Sequence, residues 1–324
     1  MNKCSGCGVI LQTNDSKELG FASLKEHSLC ERCFRIKHYS EYQKVVKDDK
    51  DIMSILQSIN KTDDLVVLVV DLMDIPSDLS VINQYLTNDT ILVLTKRDLL
   101  PKSLFEDKLL EYVNGKYVKK IIVSSINNYN FDELFESINY YKKSENVYVV
   151  GYTNAGKSTL INKLIYNYTE LDSNLTTSFL PSTTLDTISI KINDELTIID
   201  TPGIIDNGNI INHVDSKKIK LIVPKKTIRP VTYKVVSTQY FIVDNLMSLE
   251  SSKNTLIFYM ANQLPLKRLF KNIAFKDLVK HEINVKANHD LVISGLMFIK
   301  CMKDEKIIVH TLKDVDVYIR KSLI

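Results

Sequence analysis

With 324 residues, 44% of them hydrophobic and 25% charged, the chain has the composition of a soluble protein and enough length for two or three domains. No apolar run nears the ~20 residues of a membrane span, and the stretch MNKCSGCGVI has neither an apolar signal region nor an Arg-rich transit segment, so a cytoplasmic protein with no membrane partner is expected. The net charge of +3 hides an asymmetry: residues 211–324 carry 20 Lys/Arg against 10 Asp/Glu, and the preceding 210 residues carry 22 against 29. A basic segment joined to an acidic one suggests an anionic partner, although a solvated basic face would have the same composition.

The chain begins with two C-x-x-C pairs, Cys4/Cys7 and Cys30/Cys33, separated by 22 residues. Two thiolates three residues apart can grip one Zn²⁺ from a tight knuckle, and a second knuckle completes a tetrahedron. A redox dithiol or an iron–sulfur site are the alternatives. His27 and His38 lie nearby, but four thiolates suffice. Arg32, Arg35, Lys37 and His38 follow the second knuckle, so this module either touches nucleic acid or simply packs on its neighbour.

Ile52, Ile55, Leu56 and Ile59 recur at helical spacing and predict a helix over 45–60. Residues 65–70 and 90–94 are continuous apolar runs, as expected of parallel strands buried on both faces. Ser103 and Glu106 form an S-x-x-E capping pattern before Leu109 and Leu110. Residues 121–123 make a third strand, and Phe131, Leu134, Phe135 and Ile138 mark the next helix. Strands alternating with helices imply an α/β fold with a parallel sheet.

Residues 147–150 form another apolar run, which leads into GYTNAGKST and then Leu160, Ile161, Leu164 and Ile165 at helical spacing. Strand, glycine loop and helix match G-x-x-x-x-G-K-[ST]. In such a P-loop the backbone N–H groups of Gly151, Tyr152, Thr153, Asn154, Ala155, Gly156, Lys157, Ser158 and Thr159 turn inward around phosphate oxygens. Lys157 reaches the β- and γ-phosphates and Ser158 holds Mg²⁺. A turn ahead of a core helix is the plainer alternative. Residues 187–192 and 196–199 form a hairpin around Asn193 and Asp194 that ends at Asp200-Thr201-Pro202-Gly203. A carboxylate there binds Mg²⁺ through water, and the Gly203 N–H meets the γ-phosphate. Thr183 and Thr184 lie between loop and hairpin, and Thr184 is the candidate switch threonine for the Mg²⁺ shell.

Thr95-Lys96-Arg97-Asp98 resembles the N/T-K-x-D signature with which GTPases read guanine. Asp98 would accept from guanine N1 and N2, a pairing adenine does not offer, and the Lys96 stem would cover the ring. Ser124, Ser125 and Ile126, after the next strand, resemble the loop whose backbone N–H reads O6. In ordinary GTPases the phosphate loop comes first and the guanine motifs last; here the guanine motifs precede it. With the four cysteines and a basic C-terminal region, this is similar to the circularly permuted GTPases of ribosome assembly, and most closely to the YqeH family. Pro224-Lys225-Lys226, Arg229 to Tyr233 and Asp290 to Leu296 also look like family segments, whereas Ser182 stands where the family more often has glycine.

The resemblance implies a GTP-hydrolysing factor for maturation of the small (30S) ribosomal subunit, with GTP/GDP, that subunit and its rRNA as partners and no DNA. It implies a zinc finger over 1–44, a permuted G domain over 45–210 and an RNA- or ribosome-binding domain over 211–324. Ile204 occupies the place where many small GTPases carry the water-orienting glutamine. Asn154 occupies the place where similar GTPases coordinate a K⁺ that stabilises the transition state; a loop-bracing hydrogen bond is its other reading. Slow intrinsic turnover, raised by K⁺, is expected. Two other functions are open to the same sequence: a GTPase for tRNA modification or another RNA process, and a scaffold that no longer turns over. Lys157, Ser158, Asp200 and Asp98 argue against the scaffold.

From about 211 the pattern changes to short strand-like runs at 233–236, 256–260, 291–293, 307–311 and 315–318, with one helix near 275–281. This reads as an α+β or mainly β module. Lys217, Lys218, Lys220, Lys225, Lys226 and Arg229 make its densest basic stretch. Tyr233 and Tyr240 either stack on bases or edge the core, and Cys301 is read as a buried small residue.

Overall fold

A computed structural model describes residues 10–14, 21–23, 30–31, 49–76, 79–102, 104–169, 179–181, 187–271 and 277–324. Cys4, Cys7, Cys33, Ser103 and Thr184 fall outside these, as do His27 and His38. The described residues divide into two compact units. One lies within Met1–Asp71, Asp78–Thr95 and Asn114–Ile205, the other within Leu72–Ser77, Lys96–Val113 and Asp206–Ile324. No helix among them is long and apolar enough to cross a membrane.

In chain order the elements up to residue 200 are α1 (Asp49–Ile59), β1 (Leu65–Asp71), α2 (Leu79–Tyr85), β2 (Thr90–Thr95), α3 (Glu106–Tyr112, in the second unit), β3 (Lys119–Ile122), α4 (Phe131–Tyr141), β4 (Asn146–Gly151), α5 (Lys157–Tyr168), β5 (Phe179–Pro181), β6 (Ile188–Asn193) and β7 (Leu196–Asp200). The seven strands form one sheet in the order β3-β2-β1-β4-β7-β6-β5. The pairs β3/β2, β2/β1, β1/β4 and β4/β7 are parallel; β7/β6 and β6/β5 are antiparallel. The two all-apolar runs are the centre of this sheet: every residue from Leu65 to Val70 and from Ile91 to Leu94 is fully buried. A strand covered on both faces has no polar side to show, so its sequence does not alternate. β6, nearer the edge, alternates buried and half-buried residues. The helical spacings read from the sequence are the buried stripes: Phe131, Leu134 and Ile138 on α4, and Leu160, Ile161, Leu164 and Ile165 on α5.

The capping pattern at 103–106 turns on Ser103, which lies outside the described residues. α3 begins after Phe105 with no side-chain cap, and the Glu106 carboxylate accepts from Arg97 Nε at 2.7 Å.

The second unit continues with α6 (Ser216–Ile222) and ten strands: β8 (Val231–Lys234), β9 (Gln239–Val243), β10 (Met247–Ser251), β11 (Thr255–Met260), β12 (Leu266–Leu269), β13 (Val279–Val285), β14 (His289–Ile293), β15 (Met297–Cys301), β16 (Glu305–Thr311) and β17 (Val317–Lys321). They make two antiparallel five-stranded sheets, β12-β9-β10-β16-β13 and β17-β14-β15-β11-β8. Exchanging β8–β12 with β13–β17, strand for strand, turns one order into the other. The halves therefore repeat one topology and swap a hairpin partner. The turns repeat as well, with Leu246 N–H donating to Val243 O and Leu296 N–H to Ile293 O, both at 3.0 Å. Phe241, Leu249, Phe258, Leu291, Ile299 and Val309 form part of the shared core, all at 0% exposure.

The helix expected near 275–281 is not there among the described residues. Residues from 279 on are strand β13, in which His281, Ile283 and Val285 lie opposite Val309, Ile307 and Glu305. The alternation of Val279, His281, Ile283 and Val285 has the period of a strand. Cys301 is fully buried and burial pushes its thiol up to about 12, with the carboxylates of Asp290 and Glu305 adding to the effect.

Candidate functional site

β4 carries the chain to Gly151 at the carboxyl end of a parallel strand, where open α/β sheets bind ligands. A Cβ at Gly151 would stand 2.6 Å from Val69 O and 3.0 Å from Val69 Cβ on β1, so only glycine permits this approach. The following backbone is held from a second side: Ile204 N–H donates to Gly151 O at 3.0 Å and Thr153 N–H to Ile204 O at 2.7 Å. Asn154 takes a left-handed conformation (φ 65°) and is exposed. Gly156, at φ 90°, is the N-cap of α5 and sends the chain into the helix, with Leu160 N–H returning to Gly156 O at 2.9 Å. Backbone turned in this way at a helix N-terminus is suited to anions.

Lys157, in the first turn of α5, is 5% exposed, and its ammonium bonds Asp200 Oδ1 and the Thr201 carbonyl. Asp200 is 2% exposed and arrives through the parallel pairing of β4 with β7, in which Val149 faces Asp200. Thr201 anchors the turn by donating its hydroxyl to Val149 O at 2.9 Å, and Pro202 and Gly203 are buried beside it. Ser158 is half-buried and Thr159 exposed. One unit thus brings together the glycine loop, its lysine, a hydroxyl on the first helical turn and a strand-end carboxylate. This donor set suits a nucleotide phosphate with Mg²⁺: a carboxylate and a hydroxyl for a hard cation, an ammonium and N–H groups for the phosphates.

The guanine-type motifs stand at the carboxyl ends of neighbouring strands. Thr95 ends β2 at 2% exposure and donates its hydroxyl to Ala155 O at 2.5 Å, with Val70 O as a second acceptor at 3.2 Å. This brace from β2 to the phosphate loop was not foreseen from sequence, because it joins residues 60 positions apart. Beyond β3, Ser124 is buried and closes a loop: Tyr129 N–H donates to Ser124 O at 3.0 Å and Asn127 N–H to Ser124 Oγ at 3.3 Å. Ser125 is half-buried and Ile126 is 74% exposed. Lys96, with φ 64°, and Asp98 follow Thr95 in sequence but belong to the second unit. There the Thr227 hydroxyl donates to Asp98 O and Ile228 N–H to Leu99 O, each at 2.8 Å.

The segment after Gly203 enters the second unit. Asn209 donates to Asp74 Oδ2 at 2.5 Å, Ile210 N–H to Ser294 O at 3.0 Å, and Asp316 N–H to Gly208 O at 2.9 Å. Burial pushes the Asp206 carboxyl above its ordinary range and Asp316 repels its charge further; the Gly208 N–H opposes both. Of the four cysteines at 4–33 only Cys30 is described, and it is buried. No group of three or more His, Cys, Asp or Glu is placed to hold a metal among the described residues.

A phosphate loop with its lysine, facing a D-T-P-G strand end in a parallel sheet, defines a GTPase of the P-loop class. The family model described as a 50S ribosome-binding GTPase matches residues 146–263, and the one described as YqeH-like, C-terminal, matches residues 265–323. "Uncharacterized protein YqeH" of Bacillus subtilis (strain 168) is 35% identical, with 99% of each chain covered. "NO-associated protein 1, chloroplastic/mitochondrial" of Arabidopsis thaliana is 28% identical over 70% of this chain and 47% of its own length. "GTPase Der" of Karelsulcia muelleri (strain GWSS) is 28% identical over 55% of this chain and 42% of its own. The chain belongs to the YqeH family.

Proposed function

We propose that this GTPase is a circularly permuted assembly factor for the small ribosomal subunit, with a zinc finger over 1–44, a G domain over 45–210 and an RNA-contacting domain over 211–324. The observation that carries the enzymatic part is the buried Lys157–Asp200 pair beneath a loop that only glycine can form at 151. Permutation is supported by chain order: β2 and β3, which end in the guanine-type motifs, precede β4, and the GTPase family match begins at residue 146. A ribosomal partner is supported by the wording of that family, which names the 50S ribosome for its members at large. The small subunit, rather than the large, follows from the YqeH resemblance.

With nucleotide bound, Lys157 would leave Asp200 for β- and γ-phosphate oxygens, and Ser158 and Thr184, with Asp200 through water, would hold Mg²⁺. When bound, Mg²⁺ neutralises charge developing on the phosphates. The Gly203 N–H meets the γ-phosphate. Asp98 accepts from guanine, Lys96 covers the ring, and Ser125 with its neighbours reads O6. Asn154, exposed on the loop, is the K⁺ ligand, and a bound K⁺ would supply positive charge where no arginine finger is needed. Cys4, Cys7, Cys30 and Cys33 hold Zn²⁺.

The test is sedimentation of the purified chain with 30S and with 50S subunits, under a GTP analogue and under GDP. Binding to 30S that depends on nucleotide supports the proposal; equal binding in both states, or binding only to 50S, overturns it. GTP hydrolysis equal in Na⁺ and K⁺ removes the cation role of Asn154. ATP preferred over GTP, or Asp98→Asn without effect on base selectivity, removes the guanine assignment. A chelator that releases no zinc from the purified chain removes the finger.

A further inference from the structure

Residues 217–276 hold twelve Lys/Arg and only two Asp/Glu, Asp244 and Glu250; residues 277–324 hold eight and seven. The basic excess of the second unit is thus concentrated in α6, the coil after it and the first set of five strands. These pieces are tied together. Gln263 donates to Val223 O at 2.9 Å, Asn262 donates to Thr227 O at 2.9 Å, and Arg229 N–H donates to Asn262 Oδ1 at 2.8 Å. The turn that holds the basic coil leads within three residues into β12, the outermost strand of its sheet.

On β12, Arg268 lies opposite Phe241. Its guanidinium sits 5.4 Å from the ring centre of Tyr233 and 5.3 Å from that of Phe270. Tyr233 is fixed from behind by the buried rings of Phe241 and Phe258, at 5.1 and 5.9 Å. Arg268 Nε donates at 2.8 Å to Oε1 of Gln239, which is 1% exposed, so a buried amide sets the plane of the guanidinium. No carboxylate pairs with Arg268 among the described residues. Phe270 is 69% exposed, and Lys267 and Lys271, close to it in the chain, are exposed too. A ring left this far in water, stacked on an oriented cation without a counter-ion, gives nothing to the core.

We propose that Tyr233, Arg268 and Phe270 form a stacking site for bases of single-stranded RNA, whose phosphates are met by Lys267, Lys271 and the basic stretch at 217–229. This rests on the reading of RNA as a partner of the second unit and adds the site and the form of RNA. Every base offers a π-face, so rings and a guanidinium accept a single strand whatever its sequence, whereas a duplex keeps its bases stacked on one another. An acidic peptide would answer the lysines and leave Phe270 without a partner.

The test is fluorescence anisotropy of a labelled twelve-nucleotide single strand and of a duplex of equal length against the full chain and its Phe270→Ala, Phe270→Trp, Arg268→Lys and Lys271→Ala variants. Expected are a loss of roughly ten- to hundredfold in single-strand affinity for Phe270→Ala, recovery with Phe270→Trp, and little change for the duplex. Phe270→Ala should leave the salt dependence of binding unaltered and Lys271→Ala should reduce its slope. GTP turnover and thermal unfolding of Phe270→Ala are expected to match the parent. Unchanged single-strand affinity in Phe270→Ala while subunits still co-sediment overturns this site alone. Binding of neither RNA nor subunits by the parent overturns the functional reading with it. Displacement of RNA by a poly-glutamate peptide that is itself weakened by Phe270→Ala assigns the surface to a protein and overturns the proposal.

Discussion

Replacing Lys157 by alanine tests the site without any nucleotide. The ammonium and the Asp200 carboxylate are 5% and 2% exposed and bonded to each other, and the same ammonium caps Thr201 O. Alanine leaves a carboxylate in a place water barely reaches and removes a donor from a buried carbonyl. Breaking a buried pair from one side costs about 3–5 kcal/mol, because the remaining charge keeps its desolvation penalty and loses its partner. Water entering the space of the lost side chain should hold the effect near the lower figure. The chain has no Trp, so urea unfolding of nucleotide-free protein is followed by far-UV circular dichroism. At about 1–3 kcal/mol per molar urea, the transition of the first unit should move down by roughly 1–3 M. Lys157→Met combined with Asp200→Leu removes both charges and should recover most of the loss. GTP at a hundred times its dissociation constant should stabilise the parent by about 2.7 kcal/mol and the variant not at all. If Lys157→Ala unfolds within about 0.5 kcal/mol of the parent, below the cost of losing one typical buried hydrogen bond, the reasoning from burial is wrong.

Gly151→Ala should lower affinity for a fluorescent GTP analogue at least tenfold and destabilise the first unit by about 1–3 kcal/mol, since the new methyl meets the Val69 backbone rather than a side chain that can swing away. Asn254, 1% exposed, donates to Lys303 O and Glu305 Oε2 and accepts from the N–H groups of Thr255, Met302 and Lys303, so Asn254→Ala should cost about 2–4 kcal/mol in chemical unfolding. The Asp206 carboxyl is raised in the folded state, so its contribution to stability is complete below the unfolded value near pH 4 and is lost as pH rises through the folded one. Asp206→Asn should flatten that decline, giving a higher melting midpoint than the parent at pH 7 and an equal one in acid. The Cys301 thiol, buried and held up to about 12, should react with iodoacetamide only as the second unit unfolds; modification in native buffer would refute its burial.

What could be read before folding was whatever depends on near neighbours in the chain. The continuous apolar runs at 65–70 and 90–94, the stripes on α4 and α5 and the hairpin around Asn193 state their own periods, and the structure places them as those periods require. The glycine loop was legible for the same reason: strand, loop and helix N-terminus are consecutive, and the demand for glycine at 151 is met within a few residues. Where two local patterns competed, reading was less secure. Residues 279–285 alternate as a strand does, yet pairing with β16 was needed to decide it.

The sequence by itself carried the glycine-loop pattern, a T-K-x-D tetrad ahead of it that resembles a guanine-reading motif, and a basic C-terminal region. Only the tertiary structure decided that Lys157 is neutralised by Asp200, that Thr95 braces Ala155, and that ten short strands form two interleaved copies of one five-strand pattern. Those outcomes join residues tens of positions apart. Such contacts are chosen by which buried charge or polar atom finds a partner when the sheet closes, and a single unpaired one costs more than any local preference can return.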